Sequence, residues 1–466
     1  MDRRYDLVVI GSGPAGHTAA VRAAQLGLKT AVVERNMEML GGVCLNEGCI
    51  PAKSLYRSAK IFDLMRANGG LFMPQACFGS PNLPDMVRTS RTHAANLKKG
   101  LEFLFRKNGI DIIEGSAAFL DPTTVNITSS FGEKDLKAGK ILVAAGSYPK
   151  PLPGTPFDGR IILDSSGAIR LEKVPEDLLI VGGGAIGTEF ASFFAILGAR
   201  VTLVEAEETL LPAEDREIGR RLGAILSKRG VNVVLSAGSI AIKIKNGRAE
   251  VDISSPSGGV TGVFDKVIVS IGRIPSTAAL GLENAGIEAD DRAFIPVDEE
   301  MRARGGIYAA GDVVRSPLLA HMASAEGEVA AISAAGEKPA VIDYTSIPSA
   351  MYGEVQTSSV GITEEEAVTK GIDHRIGKQF FKANGRAAVN LQTEGFVKVI
   401  ADASTRKILG AHIIGYEAAE LIHEFALAKR AGLTIDDIVN TVHAHPTFSE
   451  TAVDACRAVF GKAIHG

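Results

Sequence analysis

The chain has 466 residues, 46% hydrophobic and 22% charged, the proportions of a folded protein in about three units at roughly 150 residues each. A formal charge of −4, with no long run of one sign, argues against a dedicated nucleic-acid binder, and no apolar stretch reaches the ~18 residues of a membrane span. Four cysteines are too few for a secreted disulfide framework, and the N-terminus runs straight into a strand-like segment without a leader, so a soluble, cytoplasmic protein is expected.

The first predicted element is the apolar run at residues 5–10, YDLVVI, followed by Gly11-Ser12-Gly13-Pro14-Ala15-Gly16. A small-residue helical stretch and a second apolar run ending in Glu34 come next. Strand, glycine turn, helix, strand, acid is the plan of a Rossmann-like dinucleotide site. Gly11 permits the tight turn, Gly13 lets a pyrophosphate approach the backbone, and Gly16 lets helix and strand pack closely. The helix start offers unpaired N–H groups to phosphate. Glu34 stands where a carboxylate accepts ribose hydroxyls.

An insertion follows, containing Gly41-Gly42-Val43-Cys44-Leu45-Asn46-Glu47-Gly48-Cys49-Ile50-Pro51-Ala52-Lys53. Two cysteines five apart on a regular helix are separated by ~7.5 Å along the axis, beyond the usual ~4.4–6.8 Å Cα spacing of a disulfide. A bridge therefore requires a distorted segment at a helix start, and Gly48 supplies the freedom. A thiol at such a start has a lowered pKa. Zinc binding and two unrelated thiols are the alternatives, although a structural zinc site needs about four ligands and there is no second Cys pair. Cys77 and Cys456 read as packing residues.

The nucleotide plan returns further on. Residues 178–181 lead into Gly182-Gly183-Gly184-Ala185-Ile186-Gly187, then a helical stretch and a strand ending at Glu205. Gly11 and Glu34 are 23 positions apart, as are Gly182 and Glu205. Residues 140–149 and 266–275 also match, with Gly146 and Gly272 in equivalent places. Two complete fingerprints imply two dinucleotide sites, the arrangement required to pass hydride between a flavin and a nicotinamide. Glu205, with no arginine before Arg216, favours the free 2′-hydroxyl of NAD over the 2′-phosphate of NADP. The first copy carries about 45 extra residues and is read as the flavin site.

The expected fold is α/β, with two Rossmann-like domains and a C-terminal α+β dimerisation domain. The expected boundaries are 1–150 for FAD, 151–275 for NAD, 276–342 for a central segment completing the FAD site, and 343–466 for the interface. Residues 250–265, with SSPSGG, read as a hairpin.

GGVCLNEGCIPAK, both fingerprints, Tyr308-Ala-Ala-Gly311-Asp312 and His443-Ala-His445-Pro-Thr-Phe-Ser-Glu450 together resemble, nearly end to end, the flavoprotein pyridine nucleotide-disulfide oxidoreductases. Within that family the chain is most similar to the dihydrolipoamide dehydrogenase branch, the flavin subunits of 2-oxoacid dehydrogenase and glycine-cleavage complexes. The resemblance implies FAD and NAD as cofactors and Cys44–Cys49 as a redox-active disulfide. Cys44 would be the interchange thiol facing substrate, and Cys49 the charge-transfer thiol facing the flavin. Gly11, Gly13, Gly16 and Glu34 would hold the adenosine half of FAD, with Gly42 and Gly146 also at that site. Asp312 would bond the ribityl chain, and Leu319, Ala320 and His321 would pass near the ring. Lys53, paired with Glu189, would lie near the ring nitrogen that accepts hydride. Gly182, Gly184, Gly187, Glu205 and Gly272 would serve NAD.

A dithiol must lose protons before it attacks a disulfide, and imidazole is the side chain that titrates near neutrality. His445, oriented by Glu450, is the implied acid/base, reaching the disulfide of the other subunit and so implying a homodimer. His443 reads as structural. The implied reaction is NAD-dependent oxidation of a dihydrolipoyl group on a separate lipoyl-bearing carrier protein, with no metal, nucleic acid or membrane insertion. A disulfide reductase or diaphorase with another substrate, or a non-catalytic redox-sensing partner, are the alternatives.

The sequence also departs from the pattern. Val355-Gln356 replaces a usual Pro-Glu pair, and Glu47 puts a carboxylate between the cysteines, where it would slightly oppose thiolate formation. Ala185 stands where glutathione-reducing relatives carry a Tyr, and the C-terminal cysteine pair of mercuric reductases is missing.

Overall fold

In the computed structural model, which describes residues 5–72, 79–256 and 258–465, the run Tyr5–Ile10 is a strand. It pairs in parallel with Thr30–Glu34 on one side and Gly132–Val143 on the other. Leu7, Val8 and Val9 are fully buried, as a central parallel strand covered on both faces requires. The sheet runs in the order Arg302–Arg304, Ile307–Ala309, Gly132–Val143, Tyr5–Ile10, Thr30–Glu34, Asp111–Glu114, so residues beyond 300 return to complete it. Helix Pro14–Gln25 buries Ala15, Gly16, Ala19, Ala20 and Ala23. These small residues let helix Ala320–Ala334 lie against it so closely that a Cβ at Gly327 would fall 2.2 Å from the carbonyl oxygen of Ala15.

The insertion builds helices Gly42–Asn46, Cys49–Phe72 and Leu83–Lys107. Cys77 lies outside the described residues.

The second copy repeats the first. Its parallel sheet has the order Asn232–Val234, Arg200–Val204, Asp177–Val181, Lys266–Val269, Ile162–Leu163. Residues 250–265 contain strands Arg248–Ile253 and Val260–Phe264, antiparallel with Ile253 opposite Val260, and Ile240–Lys245 extends them into a three-stranded ribbon. The matching segments 140–149 and 266–275 each leave a sheet strand through a left-handed glycine, Gly146 (φ 71°) and Gly272 (φ 116°). They then pair with each other, Ser147–Pro149 antiparallel to Arg273–Pro275, tying the two copies together.

The C-terminal region is a five-stranded antiparallel sheet, Ser349–Met351, Gln356–Gly361, Ile408–Gly415, Phe396–Asp402, His374–Phe380. Helices Ala418–Arg430 and Glu450–Ala458 contribute to the same core, where Cys456 is 1% exposed and burial pushes its thiol well up. Among the described residues no helix is long and apolar enough to cross a membrane.

Candidate active site

The glycines of the two fingerprints divide into those the fold demands and those it does not. A Cβ at Gly16 would lie 1.9 Å from the carbonyl oxygen of Gly11, and one at Gly187 would lie 1.8 Å from that of Gly182. Gly11 and Gly182 have φ near 100°. Gly13 and Gly184 differ: φ is −61° and −73°, and a Cβ would meet only the Cα of Gly42 at 4.0 Å or nothing at all. Each caps a 12-residue helix and neither supplies a side-chain cap. Open space therefore faces bare N–H groups at both helix starts, the cradle a pyrophosphate fills. Helix Ala320–Ala334 likewise begins at Leu319 without a side-chain cap, and the ring of His321 bonds the carbonyl of Pro348 at 2.8 Å. The residues fit a flavin dinucleotide in one copy and a nicotinamide dinucleotide in the other.

The acids that close the fingerprints are held by backbone. Glu34 accepts hydrogen bonds from the N–H (3.1 Å) and hydroxyl (2.5 Å) of Ser12 and from the N–H of Asn36 (3.2 Å). Glu205, 8% exposed, accepts from the N–H groups of Gly183 (2.6 Å) and Glu207 (2.9 Å). Ser12 Oγ also accepts from Gly41 N–H at 2.9 Å, so the first fingerprint and the cysteine segment share a joint. Gly42, at φ 77°, completes it: a Cβ there would lie 2.6 Å from the Cα of Gly13.

Cys44 lies in helix Gly42–Asn46 and Cys49 opens helix Cys49–Phe72, with the chain broken at Glu47-Gly48 between them. The break brings the two thiols close enough to act on each other's titration. Interaction with the Cys44 thiol, with help from the Lys53 ammonium and against burial, lowers the Cys49 thiol to about 7. The same interaction, burial and the neighbouring negative charge push Cys44 well up. Glu47 makes an ion pair with Arg170.

Lys53 is one helical turn beyond Cys49, and its Nζ lies 2.8 and 2.9 Å from the two carboxylate oxygens of Glu189, on the helix that starts at the second fingerprint. Burial favours the neutral amine, but Glu189 outweighs it and holds the Lys53 ammonium above its ordinary value. Ala185, the first residue of that helix, is exposed.

Asp312 accepts from Ser147 Oγ at 2.5 Å, and Arg273 donates to that hydroxyl (2.6 Å) and to the Ser147 carbonyl (2.7 Å). Ser147 and Arg273 immediately follow Gly146 and Gly272, the equivalent glycines of the two copies. The sequence reading aligned these two residues without giving them a role, although the repeat itself carried the signal.

His445 sits 2.9 Å through Nδ1 from Glu450 Oε1, with 77% of its side chain exposed in the single chain. Glu450 also accepts from Thr447 N–H at 2.8 Å; burial alone would raise its carboxyl, but this donor and His445 bring it below its ordinary value. His443 is tied on both nitrogens, to Glu424 and the Thr441 carbonyl at 2.8 Å each. Among the described residues no group of three or more His, Cys, Asp or Glu is placed to hold a metal.

Residues 5–327 match the family model described as pyridine nucleotide-disulphide oxidoreductase, and residues 347–456 match the dimerisation domain of the same family. The chain belongs to the pyridine nucleotide-disulphide oxidoreductases. As a member of this family it is a flavoprotein oxidoreductase with FAD and NAD as cofactors, and its dimerisation domain makes it a homodimer. It is 41% identical over 97% of its length to a dihydrolipoyl dehydrogenase of Chlorobaculum tepidum, 96% of which is covered. It is 38% identical, with both chains wholly covered, to the dihydrolipoyl dehydrogenase of Bacillus subtilis. Among solved structures, LpdA from Mycobacterium tuberculosis superposes with a TM-score of 0.88 at 27% identity, covering 97% of this chain and 99% of that one. The flavoprotein disulfide reductase RclA of Escherichia coli, as its Cu(II) complex, superposes with a TM-score of 0.87 at 29% identity over the same shares.

Proposed function

We propose that this chain oxidises protein-bound dihydrolipoyl groups and reduces NAD, as the flavin subunit serving a separate lipoyl-bearing carrier of 2-oxoacid dehydrogenase or glycine-cleavage complexes. The observation that carries the reading is the neighbouring Cys44 and Cys49 thiols, either side of the helix break, with the Lys53–Glu189 ion pair one turn beyond Cys49. Full-length similarity to relatives named dihydrolipoyl dehydrogenase supports the substrate.

His445, its Nδ1 engaged by Glu450, takes a proton from a substrate thiol at Nε2 and presents the thiolate across the dimer to the cysteine pair of the second copy. The thiolate attacks Cys44; the Cys44–Cys49 bond breaks, a mixed disulfide forms at Cys44, and Cys49 leaves as thiolate. The second substrate thiol then attacks its own mixed-disulfide sulfur, closing the lipoyl ring and releasing Cys44. The substrate has lost two electrons and two protons, and the cysteine pair has gained the electrons. The bound cofactors supply the electron chemistry that returns the pair to its disulfide and ends as NADH.

Lys53 presents fixed positive charge beside Cys49, and Glu189 limits the cost of enclosing that charge. Gly11, Gly13, Gly16, Glu34, Gly42, Gly146, Asp312 and the 319–321 segment are assigned to FAD. Gly182, Gly184, Gly187, Glu205 and Gly272 are assigned to NAD. A cytoplasmic location belongs to this reading.

The test is NAD-dependent oxidation of dihydrolipoamide by the FAD-loaded dimer, followed as NADH. Turnover abolished by Cys44→Ser supports the reading. A wild type that reduces quinones with NADH but leaves dihydrolipoamide untouched would make it a reductase of another substrate.

A further inference from the structure

The segment Tyr352–Glu354, in the stretch where the sequence departs from the family pattern, is clamped from three sides. Tyr56 donates its hydroxyl to the Gly353 carbonyl. Ser192 accepts from Glu354 N–H at 3.0 Å, and the Glu354 carboxylate pairs with Arg229 at 2.5 Å and Lys60 at 3.7 Å. A Cβ at Gly353 would lie 3.0 Å from Ser192 Oγ, so the strap lies directly on helix Ala185–Ile196. This fastening delivers Tyr352 onto the ion pair behind the cysteines. Its N–H donates to Glu189 Oε1 at 3.0 Å, and its ring centroid is 4.9 Å from Lys53 Nζ.

We propose that Tyr352 is a positioning residue for the redox site: its backbone fixes the Glu189 carboxylate and its ring face holds the Lys53 ammonium in place beside Cys49. The inference rests on the proposed role of the cysteine pair and of Lys53. A ring face attracts an ammonium the more strongly the less water surrounds the pair, and here the Lys53 side chain is 35% exposed. Each ringless substitution lets that ammonium move off toward water, so the positive charge that stabilises the Cys49 thiolate weakens. The aromatic ring makes the contact and the hydroxyl takes no part in it, which separates Tyr352→Phe from Tyr352→Leu and Tyr352→Met.

The charged and titratable groups around this centre are Cys44, Glu189 and Arg273, with Glu420 acting on Tyr352, and all four remain unchanged in these variants. The experiment is a pH titration of the long-wavelength charge-transfer absorbance of the FAD-loaded, two-electron-reduced protein, together with kcat and KM for NAD. Tyr352→Leu and Tyr352→Met move the midpoint upward by ~0.5–1 pH unit and lower kcat several-fold with little change in KM, and Tyr352→Phe matches the wild type. Wild-type midpoints in both ringless variants overturn the proposal, and so does a Phe variant that behaves like Leu. Should Leu fail to fold, the Met and Phe variants decide the matter. A wild type with no charge-transfer band sinks the underlying reading of the cysteine pair, a result distinct from an indifferent Leu variant.

Discussion

Lys398 Nζ lies 2.9 Å from Asp215 Oδ2, with the two side chains 1% and 0% exposed. Asp215 caps helix Arg216–Lys228 of the second nucleotide sheet, and Lys398 lies in strand Phe396–Asp402 of the C-terminal sheet. Glu364 adds a further contact to Lys398 at 2.6 Å. The pair is a buried electrostatic joint between the region assigned to NAD and the dimerisation domain. It gives the active site a fixed frame, because the Tyr352 strap leaves the same C-terminal sheet.

Removing one partner leaves an uncompensated charge in the interior. Lys398→Met is expected to cost ~3–5 kcal/mol in denaturant unfolding, and Lys398→Met with Asp215→Asn is expected to recover part of that loss. Burial raises the Asp215 carboxyl, but His412 and Lys398 outweigh it and hold the group below the ordinary carboxylate range. A depressed folded pKa stabilises above the unfolded value of ~3.9 and is lost as pH falls through the folded one. The wild type therefore loses more stability below pH 4 than the double variant does.

The Cys49 thiol is lowered to about 7, so the thiolate is present above that pH and protonated below it. In the two-electron-reduced protein, long-wavelength absorbance should grow as pH rises through about 7. Lys53→Met removes a stabilising cation and should move the midpoint upward by ~1 unit or more. A midpoint unmoved in that variant would show that Lys53 does not act on the sulfur.

His445→Gln should lower dihydrolipoamide oxidation by ~10²–10⁴-fold, the usual contribution of a positioned base. Quinone reduction by NADH needs no dithiol deprotonation and should persist in the same variant. Glu450→Gln should give a smaller loss in the same assay, since the Thr447 donor still helps place the side chain. Equal losses in both assays would point to damaged folding instead.

Glu205→Ala removes the acceptor for the Gly183 and Glu207 N–H groups and the charge that disfavours a 2′-phosphate. The ratio of kcat/KM for NADH over NADPH should fall by about tenfold or more, at ~1.5–3 kcal/mol for a hydrogen bond to a charged group. An unchanged ratio would remove Glu205 from the specificity determinants.

What the sequence by itself determined is local and repeated. A glycine turn, a small-residue helix and an acid 23 positions on are adjacent in the chain, and each follows from sterics within a few residues, so both nucleotide folds were legible twice over. The cysteine segment was legible as chemistry and, through Gly48, as a distorted helix start, because five-residue spacing on a regular helix is too long for the pair; the helices accordingly stop at Asn46 and resume at Cys49. Glu47 shows the limit: its ion-pair partner Arg170 is over a hundred positions away, and nothing in the local sequence points to it. The Lys53–Glu189 contact across 136 positions was legible only through the family resemblance, and tertiary structure alone decided the Ser147–Arg273 bridge, the Lys398–Asp215 joint and the strap that lays Tyr352 on Lys53. Each joins groups that sequence spacing leaves unrelated, and burial gives each its strength by removing the water that would otherwise screen it.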